Sequence, residues 1–297
     1  MKDTIKLIGN TPLYNIKDTN VFVKLEKFNL GGSVKDRAVL GMLEDALDKK
    51  LIKEDTVIIE ATSGNTGIAL AMLGAIYNIP IIIIMPETMS VERRQLIKAY
   101  GAKLILTEGK KGMQGSLDEM NKLKSQNPNY ISLSQFDNPA NPNIHYETTG
   151  VEIIEEVSDI GVFVAGIGTG GTFTGVSRKL KEYNKDIITV ALEPKESAIL
   201  SGESAGGHKI QGIGANFIPK NFDRDLADEI IKISGDDALK ETVDFAKETG
   251  ILVGISSGAN ILAAKRLSEK YPDKKIVTIA PDGGEKYLSV LDFDWYV

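Results

Sequence analysis

Short apolar runs, several of them nearly pure β-branched and lacking polar alternation, recur along this chain and alternate with amphipathic helical stretches. The runs are Val21–Leu25, Thr56–Glu60, Ile79–Met85, Lys103–Thr107, Tyr130–Leu133, Val162–Gly166, Ile188–Leu192, Ile251–Gly254 and Lys275–Ile279. A strand with one wet face alternates apolar and polar residues. A run that is apolar at every position needs cover on both faces, the condition of a parallel strand between helices. Helical periodicity falls between the runs, at Val34–Lys49, Asn65–Tyr77, Val91–Tyr100, Ser116–Ser125, Tyr146–Val157, Thr172–Tyr183, Asp236–Thr249 and Asn260–Tyr271. Gly101 and Gly250 follow two of these, where a left-handed terminal residue is wanted. The expected class is α/β with mainly parallel, twisted sheets flanked by helices.

At 297 residues the chain is long enough for two domains, and turn formers at Asp137–Asn143 mark a break between two α/β series. Residues 193–222 follow neither period and are rich in Gly, Ser and Lys, which reads as a surface segment near a site. The net charge of −6, with basic residues scattered, argues against a nucleic-acid footprint or a polybasic membrane anchor. The longest apolar run, around Ile79–Met85, is too short to span a bilayer, and Met1–Lys6 lacks the apolar core of a signal peptide. A soluble, cytoplasmic protein is expected. With no cysteine, thiolate metal sites, disulfides and a cysteine nucleophile are excluded. The two histidines, His145 and His208, do not make a metal motif, and no metal is expected. Trp295 reads as a packing residue.

Chemistry concentrates at four corners. Lys35 lies in Gly31-Gly32-Ser33-Val34-Lys35-Asp36-Arg37, where a glycine turn brings a helix start close to a ligand. A lysine amine condenses with an aldehyde or ketone to form a Schiff base, and few other side chains can. The bland alternative is a solvated lysine in a first helical turn. Thr62-Ser63-Gly64-Asn65-Thr66-Gly67 joins a strand to a helix and has more hydroxyls and amides than a helix cap needs, so an anion site such as an α-carboxylate grip is favoured over a plain cap. Gly166-Ile167-Gly168-Thr169-Gly170-Gly171-Thr172 is a second such corner. It spells a dinucleotide fingerprint with Glu193 as its ribose acid, and equally spells a nest for a single phosphate. Gly254-Ile255-Ser256-Ser257-Gly258-Ala259-Asn260 is a site or a plain cap.

Taken in order, these corners resemble the β-family, or fold type II, of pyridoxal-phosphate enzymes, and within it the cysteine synthases (O-acetylserine sulfhydrylases). The resemblance also rests on Ile8–Leu13, Met85–Ser90, Asn138–Pro142, His208–Ala215 and Gly284–Leu288. It removes the dinucleotide reading. It implies a tryptophan-synthase-β-like fold of two α/β domains: residues 1–140, holding a smaller mobile substrate-binding unit of about residues 40–140, and residues 141–297, a larger domain that binds the cofactor phosphate and packs with the N-terminal segment.

The resemblance further implies pyridoxal 5′-phosphate as cofactor and a role for each position. Lys35 would carry the cofactor as a Schiff base and then remove the substrate's Cα proton. Asn65 would bond the cofactor's ring oxygen. Gly168, Thr169, Gly170, Gly171 and Thr172 would hold its phosphate, and Ser256 would face its ring nitrogen. Thr62, Ser63, Gly64 and Thr66 would bind the substrate carboxylate, joined by Gln135. The implied reaction forms L-cysteine from O-acetyl-L-serine and sulfide through an aminoacrylate intermediate, with the small domain closing to exclude water. Asn216 stands where the family has glycine, beside the substrate's β-substituent. It opens alternatives: cysteine as donor with release of hydrogen sulfide and a lanthionine or serine product, or cystathionine formation. A non-catalytic partner-binding relative is disfavoured by intact Lys35, Asn65 and Ser256. A homodimer is implied, and a serine acetyltransferase C-terminal tail is a further partner the family would accept.

Overall fold

The computed structural model describes residues 2–288; Trp295 and the last residues of the 141–297 segment lie outside them. The chain divides into two compact units. One is Val39–Gln135 with the described residues of Met1–Leu7 and Lys286–Val297; the other is Ile8–Ala38 with Phe136–Glu285. The helix Lys35–Asp48 begins in the second unit and continues into the first.

The larger unit holds strands β1 (Leu13–Asn15) and β2 (Val21–Leu25), and the smaller holds β3 (Val57–Ala61), β4 (Ile81–Pro86), β5 (Lys103–Thr107) and β6 (Tyr130–Ile131). The larger unit continues with β7 (Ile160–Gly166), β8 (Ile188–Pro194), β9 (Glu229–Ile233) and β10 (Lys275–Ala280). In the smaller unit the sheet order is β5-β4-β3-β6, all parallel. In the larger it is β1-β2-β10-β7-β8-β9, parallel except for the antiparallel pair β1–β2. Every residue of β4 is buried, as its unbroken Ile81-Ile82-Ile83-Ile84-Met85 run requires. Each such side chain contributes about 1.5–3 kcal/mol by leaving water. One core of the smaller unit joins Ile59, Ile82, Ile84 and Met120; one in the larger joins Phe163, Phe173, Val176, Leu180 and Phe222.

Both sheets reverse direction at one place. From β3 the chain steps to β4 and β5, then returns to the other side of β3 as β6. From β7 it steps to β8 and β9, then returns to the other side of β7 as β10. Ligands of open parallel sheets bind outside the carboxyl ends of strands at such switch points. The Thr62–Gly67 corner follows β3 and Gln135 lies just past β6; the Gly168–Thr172 corner follows β7 and Asp282 lies just past β10.

Expectation and structure differ at several places, among them the unexpected strand Leu13–Asn15 and the helix Ala140–Ile144 in the stretch read as turn formers. Ile251–Gly254 forms no strand, because both edges of β10 are already taken by β2 and β7. The segment serves as a connection instead, with the Leu252 carbonyl accepting from Lys27 and the Gly254 N–H donating to Asp282. A strand forms at Glu229–Ile233, where Glu229 and Lys232 mask the apolar signal at the edge of the sheet. The 193–222 segment is not only surface: Ile210, Ile213, Asn221 and Phe222 are buried. Gly101 and Gly250 do adopt positive φ, at 85° and 74°.

Candidate functional site

The helix Asn65–Tyr77 starts at Gly64, extended at φ −132°, and no side chain caps it. The hydroxyls of Thr62–Gly67 are therefore not spent on an ordinary cap, and the helix's positive end faces the corner. Thr66 Oγ1 donates to Gln135 Oε1 at 2.7 Å, joining the two sides of the switch point. Glu60, buried just before the corner, accepts from Ser132 Oγ at 2.8 Å. Burial pushes its carboxyl up, opposed by Ser132, the Leu133 and Ser134 N–H groups and the charge of Lys124. Glu60 thereby ties down the turn that carries Gln135. Arg93 donates to the Ser63 carbonyl at 3.3 Å, and Lys286 donates to Asn65 Oδ1 at 3.2 Å.

In the other unit, Lys35 opens its helix, its N–H donating to Ser33 Oγ at 3.2 Å. The residue is half-buried overall. Desolvation lowers its pKa below 10.5, against the opposing charges of Asp282, Asp36 and Glu26. A lowered pKa gives the amine more of the neutral, nucleophilic form near neutral pH. Its neighbours anchor the turn. Asp36 accepts from the Gly31 N–H at 2.7 Å, and Arg37 forms ion pairs with Glu26 and Glu152.

The Gly168–Thr172 corner is built for close approach. A Cβ on Gly168 would meet the Gly212 carbonyl, and one on Gly171 would meet the Asn141 carboxamide. Gly170, at φ 83°, would bring a Cβ within 2.6 Å of the Phe222 nitrogen. The N-cap of the helix Gly171–Tyr183 is Gly170, which has no side chain to offer, and Thr169 Oγ1 accepts from the Gly171 N–H at 3.4 Å. Asn141 Nδ2 donates to Thr169 Oγ1 at 3.0 Å, and His145 Nε2 lies 3.2 Å from Thr172 Oγ1. Burial, then the charges of Arg37 and Lys35, push the His145 pKa well down, so its imidazole is neutral. Glu193, the would-be ribose acid, is committed elsewhere: it accepts from the Leu200 and Ser201 N–H groups and the Ser201 hydroxyl. Gly168→Ala should push the Gly212–Ile213 backbone away, at a cost of about 1–3 kcal/mol. Thermal unfolding and retention of bound pyridoxal phosphate through gel filtration check this, both expected to fall.

Ser256, 3 % exposed, is the second residue of the helix Ile255–Lys270, whose N-cap Gly254 has no side-chain cap. Its hydroxyl would lie 3.5 Å from a Cβ on Gly212, so it faces the same backbone that covers Gly168. Asn216 sits at φ 63° with Oδ1 accepting from Ser197 Oγ at 2.9 Å. Asn141, His145, Glu60, Arg93 and Lys286 were not singled out by sequence as parts of these corners. Asn141 and Lys286 lie in stretches that carry the resemblance, but their partners, like those of His145, Glu60 and Arg93, are met only through the fold.

Residues 5–282 match the family model described as pyridoxal-phosphate dependent enzyme. Cysteine synthase B of Campylobacter jejuni is 48% identical over 287 residues, covering 96% of each chain. The solved cysteine synthase of Entamoeba histolytica superposes with a TM-score of 0.93 at 44% identity, covering 97% of this chain and 89% of that one. A hydrogen sulfide-producing enzyme of Fusobacterium nucleatum superposes at 0.91 with 46% identity, covering 96% and 97%. The chain belongs to the pyridoxal-phosphate-dependent enzyme family, with the two-sheet fold of its type II members. Within that family its similarity is to the cysteine synthases.

The residues present fit pyridoxal phosphate on their own chemistry. A desolvated amine suits its aldehyde, a glycine-threonine nest suits its phosphate, and a buried hydroxyl suits its ring nitrogen. Among the described residues no group of His, Cys, Asp or Glu could hold a metal ion, and no helix is long and apolar enough to cross a membrane.

Proposed function

We propose that this enzyme carries out β-replacement on an amino acid, forming L-cysteine and acetate from O-acetyl-L-serine and sulfide. The carrying observation is the desolvated Lys35 amine in a chain similar to a cysteine synthase over 96% of its length. Pyridoxal phosphate supplies the electron sink that acidifies the substrate's Cα–H and lets the β-substituent leave.

The rest is the work of this chain's side chains. Lys35 holds the cofactor, and once the substrate's amine has displaced it, takes the Cα proton; its lowered pKa suits that step. Thr62, Ser63, Gly64 and Thr66 grip the substrate carboxylate at a helix N-terminus. Gln135 orients Thr66 and extends the grip. Asn65 donates to the cofactor's ring oxygen, and Gly168, Thr169, Gly170, Gly171 and Thr172 hold its phosphate. The hydroxyl of Ser256 at the ring nitrogen brings no negative charge to stabilise a proton there. The sink stays moderate, which favours β-elimination over chemistry needing a persistent carbanion. The unit carrying Thr62–Gly67 is the mobile one in this reading, and its movement excludes water. A homodimer, a cytoplasmic location and a serine acetyltransferase tail as partner belong to the same reading.

A second reading, with cysteine as donor and hydrogen sulfide as product, is favoured by the Fusobacterium nucleatum relative and by Asn216 where the family has glycine. Purified enzyme given O-acetylserine and sulfide is expected to consume sulfide faster than it releases sulfide from cysteine. The reverse order would assign the second reading.

A further inference from the structure

In the smaller unit, strand β3 parts from its two neighbours at different points. Toward β4 it stays paired through Ala61, opposite Ile84, and the Thr62 N–H still donates to the Ile84 carbonyl at 3.1 Å. Toward β6 the ladder holds only Val57 and Ile58, opposite Tyr130 and Ile131. Beyond Ile131 the two sides are bridged by a side chain, that of Glu60, the single acid in the strand Val57-Ile58-Ile59-Glu60-Ala61. It is 7 % exposed, and a carboxylate is costly to bury without donors. Here it has the Ser132 hydroxyl at 2.8 Å and the N–H groups of Leu133 and Ser134. The Ser132 oxygen in turn accepts from the Ser134 N–H at 3.2 Å.

The turn held in this way sets up the residue that follows it. Ser134 has φ 56°, a left-handed conformation uncommon for serine, and directly precedes Gln135. Gln135, 7 % exposed, accepts from Thr66 Oγ1 at 2.7 Å. We propose that Glu60 is a positioning residue for the substrate's carboxylate: by gathering Ser132, Leu133 and Ser134 it sets where Gln135 meets Thr66, and so how tightly the Thr62–Gly67 corner grips. This rests on the reading that Thr66 and Gln135 bind that carboxylate. Gln135 makes a further interaction besides Thr66, so Glu60 is one restraint among several and its loss loosens the grip without abolishing it. Glutamine at position 60 would turn an NH2 group toward N–H and O–H donors, and the turn would lose at least one of its bonds.

The test uses the full-length holoenzyme in variants Glu60→Gln, Ser132→Ala, Gln135→Ala and the double variant Glu60→Gln/Gln135→Ala. Steady-state kinetics with O-acetylserine are read beside titrations of the cofactor's visible spectrum with L-alanine, which has the carboxylate and no leaving group, and with L-alaninamide, which lacks the carboxylate. Glu60→Gln is expected to raise KM for O-acetylserine about tenfold, the scale of one hydrogen bond, with kcat changed by less than about threefold. It weakens alanine by the same factor and leaves alaninamide as in the natural protein. Gln135→Ala does the same, and the double variant is no worse than the poorer single one, since the two act as one unit. Ser132→Ala removes one donor and gives a smaller rise, about threefold. It is read in place of the glutamine variant if that variant does not fold. Natural KM and alanine affinity in Glu60→Gln, with both weakened in Gln135→Ala, overturns the proposal and leaves the grip standing. Equal weakening of alanine and alaninamide, or an additive double variant, overturns it as well, because either marks a general loosening. No change in Gln135→Ala overturns the reading beneath it.

Discussion

Lys35→Ala is expected to lower β-replacement by about a thousandfold or more and to remove the visible absorption of lysine-linked cofactor. Two functions are lost together. In the proposed reaction the amine that joins the cofactor would be gone, and so would the base that takes the Cα proton. The protein should still fold, because Lys35 is at the first residue of its helix and its charge already suffers from burial. Rapid-mixing assays with O-acetylserine and sulfide, together with absorption spectra, check the two losses separately. Retained turnover in the alanine variant would remove Lys35 from the mechanism. In the natural protein, linkage of added pyridoxal phosphate should quicken as pH rises, with a midpoint below 10.5, because desolvation favours the neutral amine.

Arg37→Met should cost about 3–5 kcal/mol of stability, the scale of breaking a buried ion pair by removing one partner. The guanidinium is 1 % exposed and grips the carboxylate of Glu26 with two bonds, at 2.8 and 2.9 Å. It also donates to both oxygens of Glu152, at 2.5 and 2.7 Å, and Glu152 forms an ion pair in turn with buried Lys24 at 3.0 Å. Glu156 is a second partner of that lysine. Methionine would leave Glu26 buried with its charge uncompensated. Denaturant unfolding measures the loss, and a cost below about 1 kcal/mol would show the network to be dispensable.

The same network sets an acid limit. Burial alone would raise the Glu152 carboxyl, but the bonds and charge of Arg37, with the Asn10 N–H and Lys24, bring it down to about 2 from 4.5. A carboxylate whose pKa is depressed on folding stabilises the fold above its unfolded pKa. That stability should be lost progressively as pH falls from 4.5 to about 2. After discounting for solvent screening it amounts to about 1–2 kcal/mol. Unfolding temperature against pH reads it, and Arg37→Met should flatten that slope.

Local sequence was enough for most of the helices, though the short helix Ala140–Ile144 formed in a stretch read as turn formers. Asn65–Tyr77 has the bounds its periodicity predicts, and the unbroken isoleucines of β4 are buried on both faces. The sequence reading favoured an anion site over a plain cap at Thr62–Gly67, and the N-cap of that helix is Gly64, with no side-chain cap bond. Where a neighbour decides the outcome, local pattern fell short. Ile251–Gly254 has the composition of a strand and no free edge to join, while Glu229–Ile233 has charges and an open one. His145 was weighed by sequence only as a metal ligand; burial and Thr172 make it a neutral support of the Gly168–Thr172 corner.

By itself, the sequence determined the α/β class, the candidate lysine, and the corners where glycines and hydroxyls meet helix starts. These depend on periodicity, φ freedom and side-chain chemistry, all of which are properties of adjacent residues. Only the tertiary structure decided which strands flank the switch points, and which side chains tune the corners: Gln135 on Thr66, Asn141 on Thr169, Arg37 on Glu26 and Glu152, Lys286 on Asn65. A hydrogen bond depends on the direction and distance of two groups after the chain has crossed the fold, and no spacing along the chain encodes either.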